Sequence, residues 1–241
     1  MRKKEDLFLL VFVSLLFTAC QKELPVATND YKTLGSSAHD LLSSAIYTSL
    51  HIEINYMQGY EPDNNSLTGF KTFLQRYLNK PAGIQILLNE IAPAGKTTLT
   101  LNDIITLEKK NRVEFTTGNT IAVHILITDA DYIDPGNLAM SYWNTSICLL
   151  GKSIYANAGN SSQASRTTLI TALLEHEFGH LLGLVGQGSP EQRPHRAVMN
   201  GFHCSNPNCL MYFAIETNPA SNIIPSFDDD CLADLKANGS K

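Results

Sequence analysis

The residues best suited to chemistry lie in one stretch, His176-Glu177-Phe178-Gly179-His180. On an α-helix, positions i and i+4 share one face, so both histidines can reach the same ion. Neutral imidazole suits zinc, and two such ligands one turn apart provide half of a tetrahedral site. Glu177 can take a proton from a zinc-bound water that then attacks a carbonyl. The pattern predicts a zinc site with His176 and His180 as ligands and Glu177 as the catalytic base.

The helix that must carry this motif is apolar. Leucines recur at helical spacing on both sides of it, at Leu169, Leu173, Leu174, Leu181 and Leu184. Ser161 and Ser162 are candidate caps, so we expect a long helix that ends near Leu184. A solvent-exposed helix with two incidental histidines is the competing interpretation, which is weakened because unpaired polar groups inside an apolar helix are costly.

A third zinc ligand must come from further along the chain. Gly183 completes the pattern His-Glu-x-x-His-x-x-Gly, and glycine lets the chain turn sharply out of the helix. This segment resembles the opening of the metzincin signature, which implies a third histidine at position 186, where the chain has Gly186. A run His-Cys-x4-Cys-x-Met begins at His203 and ends at Met211, which is 17 positions later than that pattern requires (203 − 186 = 17).

These motifs together resemble the metzincin zinc metalloproteases, and the archaemetzincin branch in particular. The resemblance extends over about residues 84–235 and includes Ile127–Tyr132 with the Pro135-Gly136 turn. It implies that an insertion of 17 residues follows Gly183, that His203 is the third ligand, and that Met211 is the Met-turn residue beneath the zinc. Phe213 stands where some metzincins place a tyrosine, so no tyrosine receives a catalytic role. His195, inside the insertion, is the rival third ligand.

The resemblance also implies a second, structural zinc, which archaemetzincins hold with four cysteines. Cys204, Cys209 and Cys231 match that pattern, while Asp234 stands at the last position. Three cysteines with Asp234 would bind zinc less securely. Disulfides are the competing interpretation, because Cys148 makes the number even and exported proteins permit disulfides. Both interpretations stay open at this point.

The remaining patterns predict the scaffold. Helices are expected over Ser36–Tyr47, over Leu67–Leu78, and from a cap at Asn102 to about Lys110. Strands are expected over Ile84–Ile91, Thr120–Thr128 and Ala139–Leu150, the second of them central and buried. His124, within that central strand, is interpreted as a core residue. Regular structure should be sparse from Val185 to Pro225.

We therefore expect an α/β, metzincin-like (zincin) fold. A twisted mixed sheet with backing and active-site helices would form an upper part that ends at about residue 183. A small irregular C-terminal subdomain would follow over 184–241, and the domain as a whole would span 34–241. A peptide substrate would lie in the cleft between the parts, extended along an edge strand near 141–150.

The first twenty residues have the features of an export signal. A basic start precedes an apolar run from Leu7 to Ala19, which is shorter than the roughly twenty residues that span a bilayer. Phe17-Thr18-Ala19-Cys20 resembles a bacterial lipobox, which implies cleavage after residue 19 and a lipid on Cys20. We expect residues 1–19 to be a signal peptide and residues 20–33 a lipidated tether. An ordinary signal peptide with an incidental cysteine is the alternative.

Composition restricts the class of function. The net charge of −5 and the pI of about 5.8 argue against a nucleic-acid partner. The 44% of hydrophobic residues suffices for a folded core. We expect a monomeric, lipid-anchored zinc peptidase of the cell envelope that acts on a peptide or protein substrate. The alternative is a non-catalytic, zinc-containing surface lipoprotein that binds a protein or glycan, although such a protein has no need of Glu177.

Overall fold

A mixed, mostly parallel sheet forms the centre of the structure. The computed structural model describes residues 29–159, 163–217 and 222–241. Its strands are β1 (Ser49–Met57), β2 (Gly83–Ile91), β3 (Thr98–Leu99), β4 (Thr120–Ile127), β5 (Asp131–Tyr132), β6 (Ala139–Trp143) and β7 (Ser146–Leu149). Five of them form the main sheet in the order β2-β1-β4-β7-β6, in which only β6 is antiparallel to its neighbour, while β3 and β5 pair separately. The predicted α/β fold with a mixed sheet is confirmed.

Helices cover both faces of the sheet. They are α1 (Ala38–Leu42), α2 (Asn64–Tyr77), α3 (Leu101–Asn111), α4 (Gly151–Ala156), α5 (Arg166–Leu181), α6 (Ala214–Thr217) and α7 (Asp229–Ala237). Alternate residues of β7 enter two hydrophobic clusters, with Ile147 and Leu149 in the larger and Cys148 in the smaller. Because successive strand residues point to opposite faces, the clusters lie on opposite sides of the sheet. The larger cluster holds α2 and α5, and the smaller holds Ile104 of α3.

Several predicted helix boundaries are wrong. The cap of α5 is Ser165, whose Oγ accepts the Thr168 N–H at 3.0 Å, whereas Ser161 and Ser162 lie outside the described residues. Thr100, rather than Asn102, caps α3 through a capping box with Asp103. The helix expected over Ser36–Tyr47 is only α1, because the chain becomes extended at Ser43, just after the last helical residue.

The single strand predicted over Ala139–Leu150 is in fact the hairpin β6–β7. Asn144 forms the turn and is fully buried. Its side-chain amide donates to the Asn29 carbonyl at 2.7 Å and to Ser37 Oγ at 2.8 Å, and its Oδ1 accepts the Lys32 N–H. The hairpin makes β6 the edge strand and places β7 inside the sheet. The edge strand expected near 141–150 is therefore corrected to β6, Ala139–Trp143.

The last residues of the predicted tether pack against the domain. Asp30 Oδ1 accepts a hydrogen bond from the Arg112 guanidinium at 2.9 Å, and both side chains are fully buried. Arg112 also pairs with Glu108 at 2.9 Å, and Glu108 accepts Tyr142 Oη at 2.6 Å. This buried network joins residues 29–33 to α3 and to the hairpin, so those residues belong to the folded domain.

His124 lies in the same buried region, as predicted for a core residue. Asn55 Nδ2 donates to His124 Nε2 at 3.0 Å, and Nδ1 lies 3.7 Å from Glu108. Burial, with Arg112 nearby, holds the pKa of His124 well below its usual value, so the ring is neutral. None of the helices within residues 29–159, 163–217 and 222–241 has the length and apolar character that crossing a membrane requires. Cys20 and the predicted signal peptide lie outside these ranges.

Candidate metal centre

Three histidines converge at the C-terminal end of α5. His176 and His180 come from the helix, and His203 comes from the irregular segment that follows it. Their candidate ligand nitrogens all lie within 4.8 Å of one another. The ring centroids are 4.9, 5.2 and 5.3 Å apart, so the rings surround a common point. The structure thus brings together the three residues that the sequence singled out as zinc ligands.

Backbone carbonyls orient two of the rings. His176 Nδ1 is 2.7 Å from the Leu210 carbonyl, and His203 Nδ1 is 2.7 Å from the Asn200 carbonyl. Because a carbonyl only accepts, each Nδ1 must carry the proton, which leaves Nε2 as the ligand atom. His176 Nε2 lies 3.2 Å from His180 Nε2. Two tetrahedral zinc ligands at 2.0–2.1 Å would lie about 3.3 Å apart, so the arrangement fits zinc.

Glu177 lies at the edge of the same cleft. Ser141 of β6 donates from Oγ to Glu177 Oε2 at 2.7 Å and also contacts the Glu177 carbonyl oxygen at 2.9 Å. The cleft has a volume of about 330 Å³. It is lined by Leu34, Asn137, Ala139, Met140, Ser141, Glu177, His180, Gln187, Asn200, Gly201, Phe202 and His203. An edge strand, a carboxylate and two of the three clustered histidines, His180 and His203, therefore face one volume.

The chain turns away from the helix at Gly183, as predicted. Gly183 has a φ of +74°, in the left-handed region. A Cβ at this position would stand 2.5 Å from the Ser189 nitrogen, so a side chain would also collide with backbone. Met211, the predicted Met-turn residue, is fully buried, and its sulfur packs against Gly179 of α5. Both residues help to bring the segment around His203 back to the helix.

A second cluster lies in the C-terminal part of the domain. Candidate ligand atoms of His195, Cys204, Asp228 and Cys231 lie within 4.8 Å of one another. Cys209 Sγ is 3.6 Å from Cys231 Sγ. Burial raises the pKa of Cys204 to about 12, whereas the hydrogen-bonding contact with Cys231 lowers the pKa of Cys209. His195, the rival third ligand, thus belongs to this cluster rather than to the one on α5.

Cys148 and Asp234, which the sequence also offered as members of this cysteine group, do not lie among its candidate metal ligands. Cys148 is buried in β7, within the smaller hydrophobic cluster, and the structure does not bring it to the other three cysteines. All four cysteines of the described ranges are free thiols. Asp234 does not join the ligand cluster, because its Oδ2 contacts His195 Nε2 at 2.9 Å. In place of Asp234, both His195 and Asp228 lie with Cys204 and Cys231 in this cluster.

Sequence reasoning missed three residues that contact these sites. Ser141 was placed in a strand without a role, although it contacts Glu177. Gln187 contacts His180 Nδ1 at 3.4 Å through its side-chain amide. Asp228 caps α7, a helix that was not predicted from the sequence, although an aspartate is a common residue at a helix N-cap. No spacing rule identifies Ser141 or Gln187, because their contacts join distant parts of the chain.

Comparison with known proteins agrees with this architecture. The sequence matches no protein-family model and has no significant match among curated proteins. Among solved structures, the chain is similar to an archaemetzincin (amzA) from Methanopyrus kandleri, with a TM-score of 0.53 and 15% identity over 79% of this chain and 96% of that one. It is also similar to metalloproteinase-II from Bacteroides fragilis, with a TM-score of 0.44 and 13% identity over 81% of this chain and 54% of that one. At such identities the first likeness supports the fold alone.

Proposed function

We propose that this protein is a zinc-dependent peptidase. The observation that carries the proposal is the convergence of His176, His180 and His203, the last two of which line the cleft together with Glu177. A structural zinc site is usually closed by four protein ligands, whereas three ligands with an open position are typical of catalytic zinc. The archaemetzincin-like fold supports the same interpretation. We propose one catalytic zinc at this cluster.

The chain's own residues suit peptide hydrolysis. When bound, zinc would supply Lewis-acid polarisation of the scissile carbonyl and make water easier to deprotonate. Glu177 would accept a proton from the attacking water and pass it to the leaving amine. Ser141 donates to Glu177 Oε2 and so holds one carboxylate oxygen in place. The free edge of β6 would pair with an extended peptide through main-chain hydrogen bonds.

The first prediction is chelator-sensitive cleavage of peptides. The purified protein should cleave members of a peptide library, lose this activity with a zinc chelator, and regain it when zinc is restored. His203→Ala should remove both the activity and the zinc of this cluster, since two histidines alone bind weakly. The readouts are mass-spectrometric detection of products and zinc content.

Two outcomes would contradict the peptidase proposal. Cleavage that persists in His203→Ala would show that this cluster is not the active site. Zinc bound at the cluster without any cleavage would instead favour the non-catalytic surface lipoprotein that binds a protein or glycan partner.

We further propose that a lipid on Cys20 anchors the protein in the cell envelope. The support is the sequence alone, namely the short apolar run and the Phe17-Thr18-Ala19-Cys20 boundary. In a bacterial host, the wild type should incorporate labelled fatty acid and sediment with membranes, and Cys20→Ser should do neither. If the wild type carried no labelled fatty acid and were cleaved at a position other than after residue 19, it would have an ordinary signal peptide, and the proposed lipid anchor on Cys20 would be rejected.

A further inference from the structure

The geometry of the second cluster points to a metal site that is separate from the cleft. The resemblance to archaemetzincins implies a second, structural zinc on Cys204, Cys209 and Cys231, and we propose that in this chain His195 supplies the fourth ligand and Asp234 orients His195 for this purpose. The proposal does not depend on peptidase activity. The new element is His195, which lies in the segment after Gly183. It takes the fourth ligand position, because the structure brings neither a fourth cysteine nor Asp234 to the other three ligands.

The distances match the edges of a zinc tetrahedron. His195 Nδ1 lies 3.5 Å from Cys204 Sγ and 3.8 Å from Cys231 Sγ. Cys209 Sγ lies 3.6 Å from Cys231 Sγ. With zinc–sulfur distances of 2.3 Å and zinc–nitrogen distances of 2.0–2.1 Å, tetrahedral ligand atoms stand roughly 3.5–3.8 Å apart. These three of the six ligand separations suit a common ion, and all four side chains are buried. Cys209 joins the set through its contact with Cys231, whereas the atoms that all lie within 4.8 Å of one another are those of His195, Cys204, Cys231 and Asp228.

The backbone around the sulfurs is arranged to stabilise thiolates. Cys204 Sγ accepts the Asn206 N–H at 3.5 Å, and Cys209 Sγ accepts the Met211 N–H at 3.4 Å. In both cases the donor is the amide two residues after the cysteine. Cys231 lies in the first turn of α7, where the helix dipole favours negative charge. Amide donors and a helix N-terminus lower the cost of the thiolate charges that a metal requires.

Asp234 and the local backbone fix the position of His195. Asp234 Oδ2 accepts His195 Nε2–H at 2.9 Å, so the opposite nitrogen, Nδ1, faces the sulfurs. A carboxylate on the outer nitrogen of a ligating histidine sets its tautomer and raises its basicity. The backbone of Ser205 donates to the His195 carbonyl at 2.8 Å, and that of Ala197 donates to the His203 carbonyl at 2.7 Å. The site would therefore join the segment around His195 to Cys231 of α7 and to Cys204, the residue that follows His203.

Asp228 is the rival for the fourth position. Its Oδ1 caps α7 by accepting the Cys231 N–H at 3.0 Å, and its Oδ2 accepts the Asn206 side-chain amide at 3.0 Å. The same Oδ2 lies 3.2 Å from Cys204 Sγ, which places Asp228 among the candidate ligands, although both oxygens also hold the loop and the helix start. Asparagine is as good a helix cap as aspartate, so Asp228→Asn tests a ligand role while keeping the cap.

Zinc content and cobalt spectroscopy test the proposal on the purified full-length protein. We expect two zinc ions per chain in the wild type and in Asp228→Asn, and one in His195→Ala. His195→Cys should restore the second ion by providing a fourth thiolate. His203→Ala is the matched control, which should lose the ion of the cleft and keep the one on the cysteines. Cobalt in the wild-type site should show sulfur-to-cobalt charge-transfer absorption.

Each alternative outcome has a defined meaning. The proposal would be overturned if the wild type bound a single zinc that is lost in His203→Ala and kept in His195→Ala. A Cys209–Cys231 disulfide found by mass spectrometry would overturn it as well. Loss of zinc in Asp228→Asn with two ions retained in His195→Ala would assign the fourth position to Asp228 and overturn the role of His195. A single zinc that only His195→Ala removes would support this site and reject the catalytic one. If His195→Ala does not fold, the other two variants decide: two zinc ions in both Asp228→Asn and His195→Cys support the proposal, and one ion in Asp228→Asn overturns the role of His195.

Discussion

Glu177→Ala should abolish most hydrolysis while leaving the zinc of the cleft in place. A positioned general base contributes roughly 10²–10⁴-fold to the rate, so kcat should fall by about that factor. The metal should remain because His176, His180 and His203 form the ligand cluster without Glu177. Measurement of kcat on a cleaved peptide, together with zinc content, checks both parts of this expectation.

The matched control for Glu177 is a neighbouring glutamate on the same helix. Glu175 lines a separate groove of about 290 Å³ with Arg76 and Thr171. Burial raises the pKa of Glu175 to about 7, although Arg76 opposes this rise. A large fraction of Glu175 is therefore protonated at neutral pH, and glutamine is a close neutral replacement for that form. Glu175→Gln should keep kcat within a few-fold of the wild type. Full activity in Glu177→Ala would rule out the assigned base.

Arg112→Met should cause the largest loss of stability. The side chains of Asp30 and Glu108 are fully inaccessible to solvent, and the substitution would leave both carboxylates buried without the Arg112 cation. Removal of one partner of a buried ion pair costs about 3–5 kcal/mol, a large part of the stability of a typical domain. Chemical denaturation of the variant and the wild type gives the difference in the free energy of unfolding.

The loss of stability in Arg112→Met should depend on pH. Burial raises the pKa of Glu108 above its usual 4.5, and Arg112 opposes this rise. Without Arg112 the folded-state pKa should rise further, whereas the unfolded-state pKa stays the same. A raised carboxyl pKa means that the folded state binds more protons than the unfolded state, so stability falls as pH rises. The deficit of the variant should therefore be largest at neutral pH and shrink on acidification toward the usual carboxyl pKa.

An exposed ion pair provides the control for Arg112. Lys152 and Asp131 are 2.6 Å apart, with 45% and 43% of their side chains exposed. Lys152→Met should cost less than about 1 kcal/mol, because solvent screens such pairs. A loss in Arg112→Met no larger than that in Lys152→Met would contradict the role assigned to the buried network.

Local sequence patterns predicted the main elements and half of the metal centre. His176 and His180 are four positions apart, so they share one face of any α-helix that contains them, and their proximity can be predicted without the tertiary structure. The helix over Leu67–Leu78 and the strands over Ile84–Ile91 and Thr120–Thr128 are close to the observed α2, β2 and β4. Each is long and strongly periodic, which is where sequence patterns are most informative. Breaks such as the buried turn at Asn144 were missed because long-range hydrogen bonds stabilise them.

The sequence by itself determined a helix with two histidines and a glutamate, a turn at Gly183, and a set of histidines and cysteines beyond it. Only the tertiary structure decided between the two later histidines. It brings His203 to α5 and turns His195 toward the cysteines, where Asp234 holds it. The physical reason is that helical spacing is a local property of the backbone. The destination of a residue in an irregular segment depends instead on the turn before it, its backbone pairing and side chains far away in the chain.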